Sequence, residues 1–529
     1  MFSAAGARSR SGGGLVCGGL ASAASVLILM LHAGAPQAAV GAQVILSGDP
    51  APDGNGVYVS IAPPILNSGM LTPSLGPQTF FAFGATFTDT SGGEADDRGI
   101  VGGNLTDPAF TLGGNGNGGG GWVPQFNMIV RKGDSSPGGT FETMAERAIN
   151  SSGQVVFNAS PSGLYVGSGG PITTIARPGD EAPDDLTIGA SFSTPQINDG
   201  GQVAWNGLLV EDAVNTRAIL RGPGQPLDVI VRAGQPVPEV SESVFGPEVS
   251  EQLQINNTGR VAFGTAEGIF TGVGGGLSTV VKGFDSSPDG SAYQEGFGPP
   301  ALNNNNAVAF HGTTLSGSGI FRHGVGDPAA IALTGDLAPG GGALAAFERP
   351  VSLNDQGDVV LLGRLEHVGG DEVLLIGDGT NLSEILREGQ TVPLGNGRID
   401  RIITWALNQN GDVVILAELR DTFFGDGAKG LLVYSASDGF ARKLYQSGDP
   451  FLDSTIVDLT FRGAIQREAM ELMARSDAET RSGFNDLGHV GFGFTLANGV
   501  SGITVPEPST VAMLAGGVLG LVWRSRRRA

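Results

Sequence analysis

Cysteine occurs once, as Cys17, inside an N-terminal stretch that reads as a leader. The mature chain is therefore expected to hold no thiol. That excludes disulfides, thiolate zinc sites and cysteine nucleophiles. Charge is sparse at 16% and lopsided, with 30 Lys and Arg against 52 Asp and Glu, net −22. A body of that sign repels polyanions, so nucleic acid drops out as a partner. Histidine is scarce, and His311, His323, His367 and His489 are scattered through the body. Neither a Gly-x-Ser-x-Gly elbow nor a His-Glu-x-x-His pair occurs. Glycine, by contrast, is abundant: 88 of 529 residues, about 17%, with no Gly-X-Y period. Since 40% of the chain is still hydrophobic, strands joined by glycine turns are the natural reading.

The two ends read as addresses. Residues 1–42 have a basic start (Arg8, Arg10), an apolar core (Val26 to Leu31) and small residues after it, the pattern of a secretory signal cleaved between Ala35 and Ala42. Residues 505–529 carry Pro506-Glu507-Pro508, an apolar run from Val511 to Trp523, and the basic tail Arg524 to Arg528. The run of 13 residues spans about 20 Å as a helix, short of the roughly 30 Å hydrocarbon core. The trailing arginines stay on the cytoplasmic side. This order resembles the PEP-CTERM sorting signal of Gram-negative bacteria. The resemblance implies partners, namely the secretion machinery and an exosortase. It also implies a transient inner-membrane association through the C-terminal helix, then release or surface attachment. Without the six basic residues and Glu507 of the two ends, the body keeps 24 basic and 51 acidic residues, net −27.

A short phrase recurs between the ends. Asparagine at its first position and glycine at its fourth stand at Asn150/Gly153, Asn198/Gly201, Asn256/Gly259, Asn354/Gly357, Asn408/Gly411 and Asn485/Gly488. A variant at Asn303 has Asn306 where glycine is expected, and an eroded copy starts at Asn67. From Asn150 onward the steps are 48, 58, 47, 51, 54 and 77 residues. The asparagine side chain can bond backbone two residues on, and glycine takes the left-handed conformation of a tight turn. Asparagine is the other residue that tolerates that region, which accounts for Asn306. After each turn comes a strand with both faces apolar, such as Val203-Ala204-Trp205.

A second phrase precedes each first one: Gly48-Asp49, Gly133-Asp134, Gly179-Asp180, Gly234-Gln235, Phe284-Asp285, Gly335-Asp336, Gly389-Gln390 and Gly448-Asp449. Units of about 50 residues with two fixed corners predict four-stranded meanders arranged as a β-propeller over 43–504. Eight blades follow if Asn67 counts and seven if it does not. The N-terminal strand 43–46 is expected to complete the last blade. Residues 88–121 read as a long insertion, and 463–480, rich in Ala, Glu and Met, as the one helix of the body. The phrases also resemble Asn-x-x-Gly tandem-repeat families of bacterial surface proteins, a resemblance that implies architecture and no activity.

Chemistry is harder to find. No catalytic residue and no cofactor site is assigned. Asp49-x-x-x-Asp53-x-Asn55 and Asp285-x-x-x-Asp289 cluster oxygens, which keeps calcium in view. Gln235 and Gln390 replace the aspartate, however, which favours a turn. A two-histidine metal site at His311 and His323 has little support. The leading expectation is a non-enzymatic extracellular propeller that binds polysaccharide or surface proteins of the matrix. The alternatives are a carbohydrate-active hydrolase or lyase with carboxylates at the propeller mouth, and a calcium-dependent adhesion module.

Overall fold

The computed structural model describes residues 43–505, less 68–69, 73–75, 107–124, 137, 161–162, 223–226, 248, 250–251, 325–327, 350, 367–370, 464 and 467–481. Eight antiparallel sheets follow one another along the chain as the eight blades of a propeller. Blade 2 shows the plan: Thr143–Ile149 innermost, then Val155–Ser160, Gly163–Gly167 and Thr173–Ala176 outermost. The asparagine turn joins the innermost strand to the second, and the Gly-Asp corner follows the outermost.

Because neighbouring strands are antiparallel, these two turns lie on opposite faces of the disc. The turn face carries the asparagine turns and the links between third and outermost strands. The corner face carries the Gly-Asp corners and the links between second and third strands.

Blade 1 is the most altered. Val57–Ile61 and Ile65–Leu66 share the long strand Gly76–Thr88, followed by Arg98–Thr106 and Gln125–Arg131. Part of the stretch expected to be an insertion at 88–121 is therefore sheet: Arg98–Thr106 pairs along nine residues of Gly76–Thr88, and 107–121 lie outside the described residues. Its glycines hid the strand; Gly102 and Gly103 leave room for Ile129 and the Phe81 ring. Blade 8 has Ser454–Phe461, Phe492–Leu496 and Ser501–Val505, with Gln43–Leu46 paired on its outer edge, Gln43 opposite Val505.

Among the described residues there is no α-helix, only a single 3-10 turn at Gly93–Ala95, and no helix able to cross a membrane. The helix expected over 463–480 is corrected at its start. Ile465–Gln466 is a short strand paired antiparallel with Thr404-Trp405 on the inner edge of blade 7, a position that suits a β-branched residue. The rest of that helix, the N-terminal signal and the C-terminal apolar helix with its transmembrane role lie outside the described residues.

The core is a ring of eight apolar clusters, each filled from two adjacent sheets. Between blades 2 and 3 lie Val156, Leu164, Trp205 and Leu220; between blades 8 and 1 lie Ile45, Ile503, Tyr58 and Phe83. Both faces of the central strands of each blade are thus largely covered, which explains apolar runs such as Gly163–Gly167 and Val308–Thr314. The aromatic that precedes each inner strand is part of this filling. In blade 4 Phe245 packs edge-on against Phe270, with centroids 5.3 Å apart, and also meets Phe263. Phe141 repeats the arrangement with Phe157 and Tyr165 in blade 2.

Phe263→Ala should cost about 3–5 kcal/mol, because the ring is fully buried between two sheets that cannot collapse independently. Phe440→Ala, at a side chain 65% exposed, should stay within about 0.5 kcal/mol. Chemical denaturation of the two variants measures the contrast.

Candidate functional site

The innermost strands surround a central channel of about 420 Å³, and the asparagine turns form its rim on the turn face. Each turn is built as its sequence suggests. The Asn150 Oδ1 accepts from Ser152 N (3.1 Å) and Gln154 N (2.9 Å). Asn256, Asn303, Asn354, Asn408 and Asn485 accept in the same two ways, and Asn198 accepts from Gln202 N. The fourth residue is left-handed throughout, with φ +78 at Gly153, +77 at Gly201, +78 at Gly259, +93 at Gly357, +81 at Gly411 and +81 at Gly488. Asn306 takes φ +63 in its place.

What sequence reading missed is where the other half of each amide goes. Asn150 Nδ2 donates to the backbone carbonyl of Asn198 in the next blade, 3.2 Å. Asn198 donates to Asn256 O, Asn256 to Asn303 O and Asn303 to Asn354 O, each at 2.9 Å. Asn354 to Asn408 O and Asn408 to Asn485 O, each at 3.4 Å, continue the series. At the seam Asn485 donates to Thr79 Oγ1 (2.9 Å) of blade 1, and Asn67 donates to Ser151 O (3.0 Å) of blade 2. All eight asparagines are at most 5% exposed.

A second circle runs beside the first. The backbone N–H after each asparagine donates to the side chain at the equivalent position one blade on. Ser151 N reaches Asp199, Asp199 N reaches Asn257, Asn257 N reaches Asn304, Asn304 N reaches Asp355, Asp355 N reaches Gln409 and Gln409 N reaches Asp486, at 2.7–3.0 Å. The rim carboxylates are thus acceptors in a structural network. Arginines add a third link. Arg322 donates to Gly357 O (2.5 Å) and Arg221 to Gly259 O, each gripping the next blade's turn glycine. No local motif marks Thr79 or these arginines, since each acts on a residue far away in sequence.

The corner phrases converge on one bond, made eight times. The side-chain oxygen of Asp49, Asp134, Asp180, Gln235, Asp285, Asp336, Gln390 or Asp449 accepts from the backbone N–H three residues earlier, at 2.7–3.3 Å. An amide oxygen does this as well as a carboxylate, which is why glutamine interchanges with aspartate. Asp53 forms a two-point ion pair with Arg131, both contacts 2.9 Å, and Asn55 bonds Asp96 (2.6 Å). Burial opposes ionisation of Asp289, yet the hydroxyls of Ser287 and Ser316, Ser291 N–H and the Thr314 hydroxyl outweigh it and hold the carboxyl well below the usual range. The oxygens that suggested calcium therefore already have donors. Among the described residues no three His, Cys, Asp or Glu side chains gather as a metal cluster.

His311 and His323 lie on paired strands, His311 opposite Ile320 and His323 opposite Val308, so they point to opposite faces of the sheet. His311 Nδ1 accepts from Arg349 Nε (3.0 Å) and His323 Nε2 meets the Tyr293 hydroxyl (3.0 Å). His367 lies outside the described residues. His489 sits at the seam, its Nδ1 2.7 Å from Thr79 Oγ1. Burial holds its pKa down at about 4, and burial with the neighbouring Arg349 charge does the same at His311.

Asn256→Ala should cost about 1–3 kcal/mol, because Thr258 N and Arg260 N lose their acceptor and the donor to Asn303 O in the next blade is removed, although that carbonyl keeps Asn306 N. Asn306→Gly should be nearly neutral and Gly259→Val severe, since a Cβ there meets the Gln202 side chain and the backbone is left-handed. Thermal melts of the three variants test the order. Stability should also fall as pH drops from about 6.5 toward 4, where the unfolded chain binds protons that folded His311 and His489 refuse, by roughly 3 kcal/mol for each. His489→Gln should flatten part of that slope in melts taken across the window.

Solved structures align with the chain at low identity and low TM-score. The β-propeller domain of the Trilobed protease from Pyrococcus furiosus is 10% identical, with TM-score 0.38, over 74% of this chain and 100% of that one. A puromycin-hydrolyzing peptidase of Mycobacterium tuberculosis is 13% identical, with TM-score 0.37, over 83% of this chain; the match spans 61% of the peptidase's length. Trypanosoma rangeli sialidase is 9% identical, with TM-score 0.29, over 92% of this chain and 62% of the sialidase. No curated protein sequence matches the chain. Residues 504–528, which contain Pro506, Glu507 and Pro508, match the PEP-CTERM protein-sorting motif, the mark of an exported precursor held at the membrane for an exosortase. Residues 114–512, three quarters of the chain, match the model of a family of unknown function, DUF7453, and the protein belongs to that family.

Proposed function

We propose that the protein is an exported, exosortase-processed propeller that works outside the cell as a binding or structural element, with matrix polysaccharide or surface proteins as its partners. Residues 1–42 act as the cleaved signal, 43–504 as the working body and 505–529 as the sorting segment. The observation that carries this reading is the use of the rim's polar groups. The asparagines and carboxylates around the channel mouth are bonded to one another from blade to blade, as a scaffold needs, and Asp199 and Asp355 accept within that network. Recognition then falls to the two broad faces. In the same reading, strand 43–46 is the clasp that covers the last sheet edge; its pairing with Ser501–Val505 and the burial of Ile45 support that role.

Two measurements test the proposal. Mature protein from its native host should co-sediment with the host's extracellular polysaccharide, or with cells bearing it, without releasing reducing ends. Release of reducing ends, abolished by Asp355→Asn with the fold intact, would establish the hydrolase reading instead. Deleting 43–49 should lower the melting temperature and promote association in size-exclusion chromatography. A monomer with an unchanged melt would leave the strand no clasp role.

A further inference from the structure

The sorting motif starts inside the fold. It begins at residue 504, yet Thr504 and Val505 are the last residues of a strand in blade 8, and both are buried. No spacer separates the folded body from the signal. Five residues, 506–510, lie between that strand and the first residue of the apolar run. Fully extended they reach at most ~18 Å.

The direction in which that strand leaves is set by the sheet. In blade 2 the third strand ends beside the start of the outermost strand, Val166 opposite Thr173. In blade 8 the equivalent pair is Val505 opposite Gln43. Both exits therefore lie where other blades place the link between third and outermost strands, on the turn face. The corner face is a strand's length further away. A strand of five to eight residues adds ~17–27 Å, so the tether is too short to bring that face down while blade 8 stays folded.

Carboxylates stand on both faces, at the corners (Asp49, Asp134, Asp180, Asp285, Asp336 and Asp449) and on the turn face (Asp199, Asp355, Asp438 and Asp486), so charge does not choose between them and the short tether does. Most of the exposed apolar side chains sit on the corner face, among them Phe423 at 97%, Leu394 at 79% and Phe284 at 78% exposure, with Phe440 at 65% and Val273 at 43% on the turn face. A surface that bound lipid through such loops would approach the bilayer the other way up.

We infer that, while the precursor is tethered, the turn face of blades 7 and 8 lies against the bilayer surface, and the corner face with its apolar loops points outward. This rests on the sorting reading above. The outward face is then the one open to partners before release, and the exosortase must cut flush with the body.

The body's lack of cysteine makes the test direct. With Cys17 replaced by serine, single thiols are placed in the full chain at Ser437 or Thr380 on the turn face, and at Leu394 or Phe423 on the corner face. The protein is reconstituted into vesicles of phosphatidylethanolamine and phosphatidylglycerol, and alkylation by a bulky, impermeant maleimide is timed before and after proteolytic release. Ser437→Cys should react several-fold more slowly when tethered, Thr380→Cys less so, and Leu394→Cys and Phe423→Cys at unchanged rates. Slowing at Leu394 and Phe423 instead would overturn the inference, as would equal rates at all four. Flotation of the vesicles separates the two failures: a chain that does not float has no tether, and the sorting reading falls with the orientation. Slowing at Ser437 that appears only when exosortase is co-reconstituted would assign the face to the enzyme rather than to lipid, and would also overturn it.

Discussion

A primary amide has an acceptor at one end and donors at the other, and this protein uses both ends of one side chain for different purposes. The oxygen of each repeat asparagine folds its own turn, and the nitrogen holds the next blade. Local and global structure thus share a single group. Aspartate could cap the turn but could not donate, and serine could not reach both partners. The apolar clusters between sheets supply most of the burial, but burial has no direction. The amide circle adds direction, because every donor lies on one blade and its acceptor on the next in chain order.

The seam shows what the circle requires. Blade 1 departs most from the repeat, and there the donor of Asn485 meets a threonine hydroxyl instead of a carbonyl. His489, the residue after the last turn glycine, then bonds the same hydroxyl. A histidine buried to 7% exposure and held neutral is a local weakness in acid, placed at the junction between the first and last blades. The other seven junctions have no titrating imidazole in the circle.

Much of this was legible in the sequence, and the limits have physical causes. Periodicity exposed the blades because turns obey local backbone rules, so asparagine and glycine recur at fixed offsets. The exchange of Gln235 and Gln390 for aspartate pointed to a structural corner, and one shared bond accounts for it. The strand Arg98–Thr106 was hidden because its glycines serve close packing on Phe81 and Ile129, an effect of neighbours distant in sequence. Ile465–Gln466 looked helical because its composition does; pairing on the inner edge of blade 7 decided otherwise. The blade-to-blade bonds could not be foreseen at all. Around the amide circle they join residues 47 to 84 apart, and 406 apart at the seam, and nothing in either partner's own segment depends on the other.

Those unequal separations have a consequence for how such a molecule can change. The circle fixes only the hub, where each blade presents the same few atoms. The chain between one hub contact and the next varies from 47 residues to 77 without altering the contact made. Growth at the periphery is therefore uncoupled from register at the centre. A loop lengthened on either face, or a whole meander exchanged for another with the same turn, leaves the axle as it was, so variation can accumulate on the surfaces that meet the outside world.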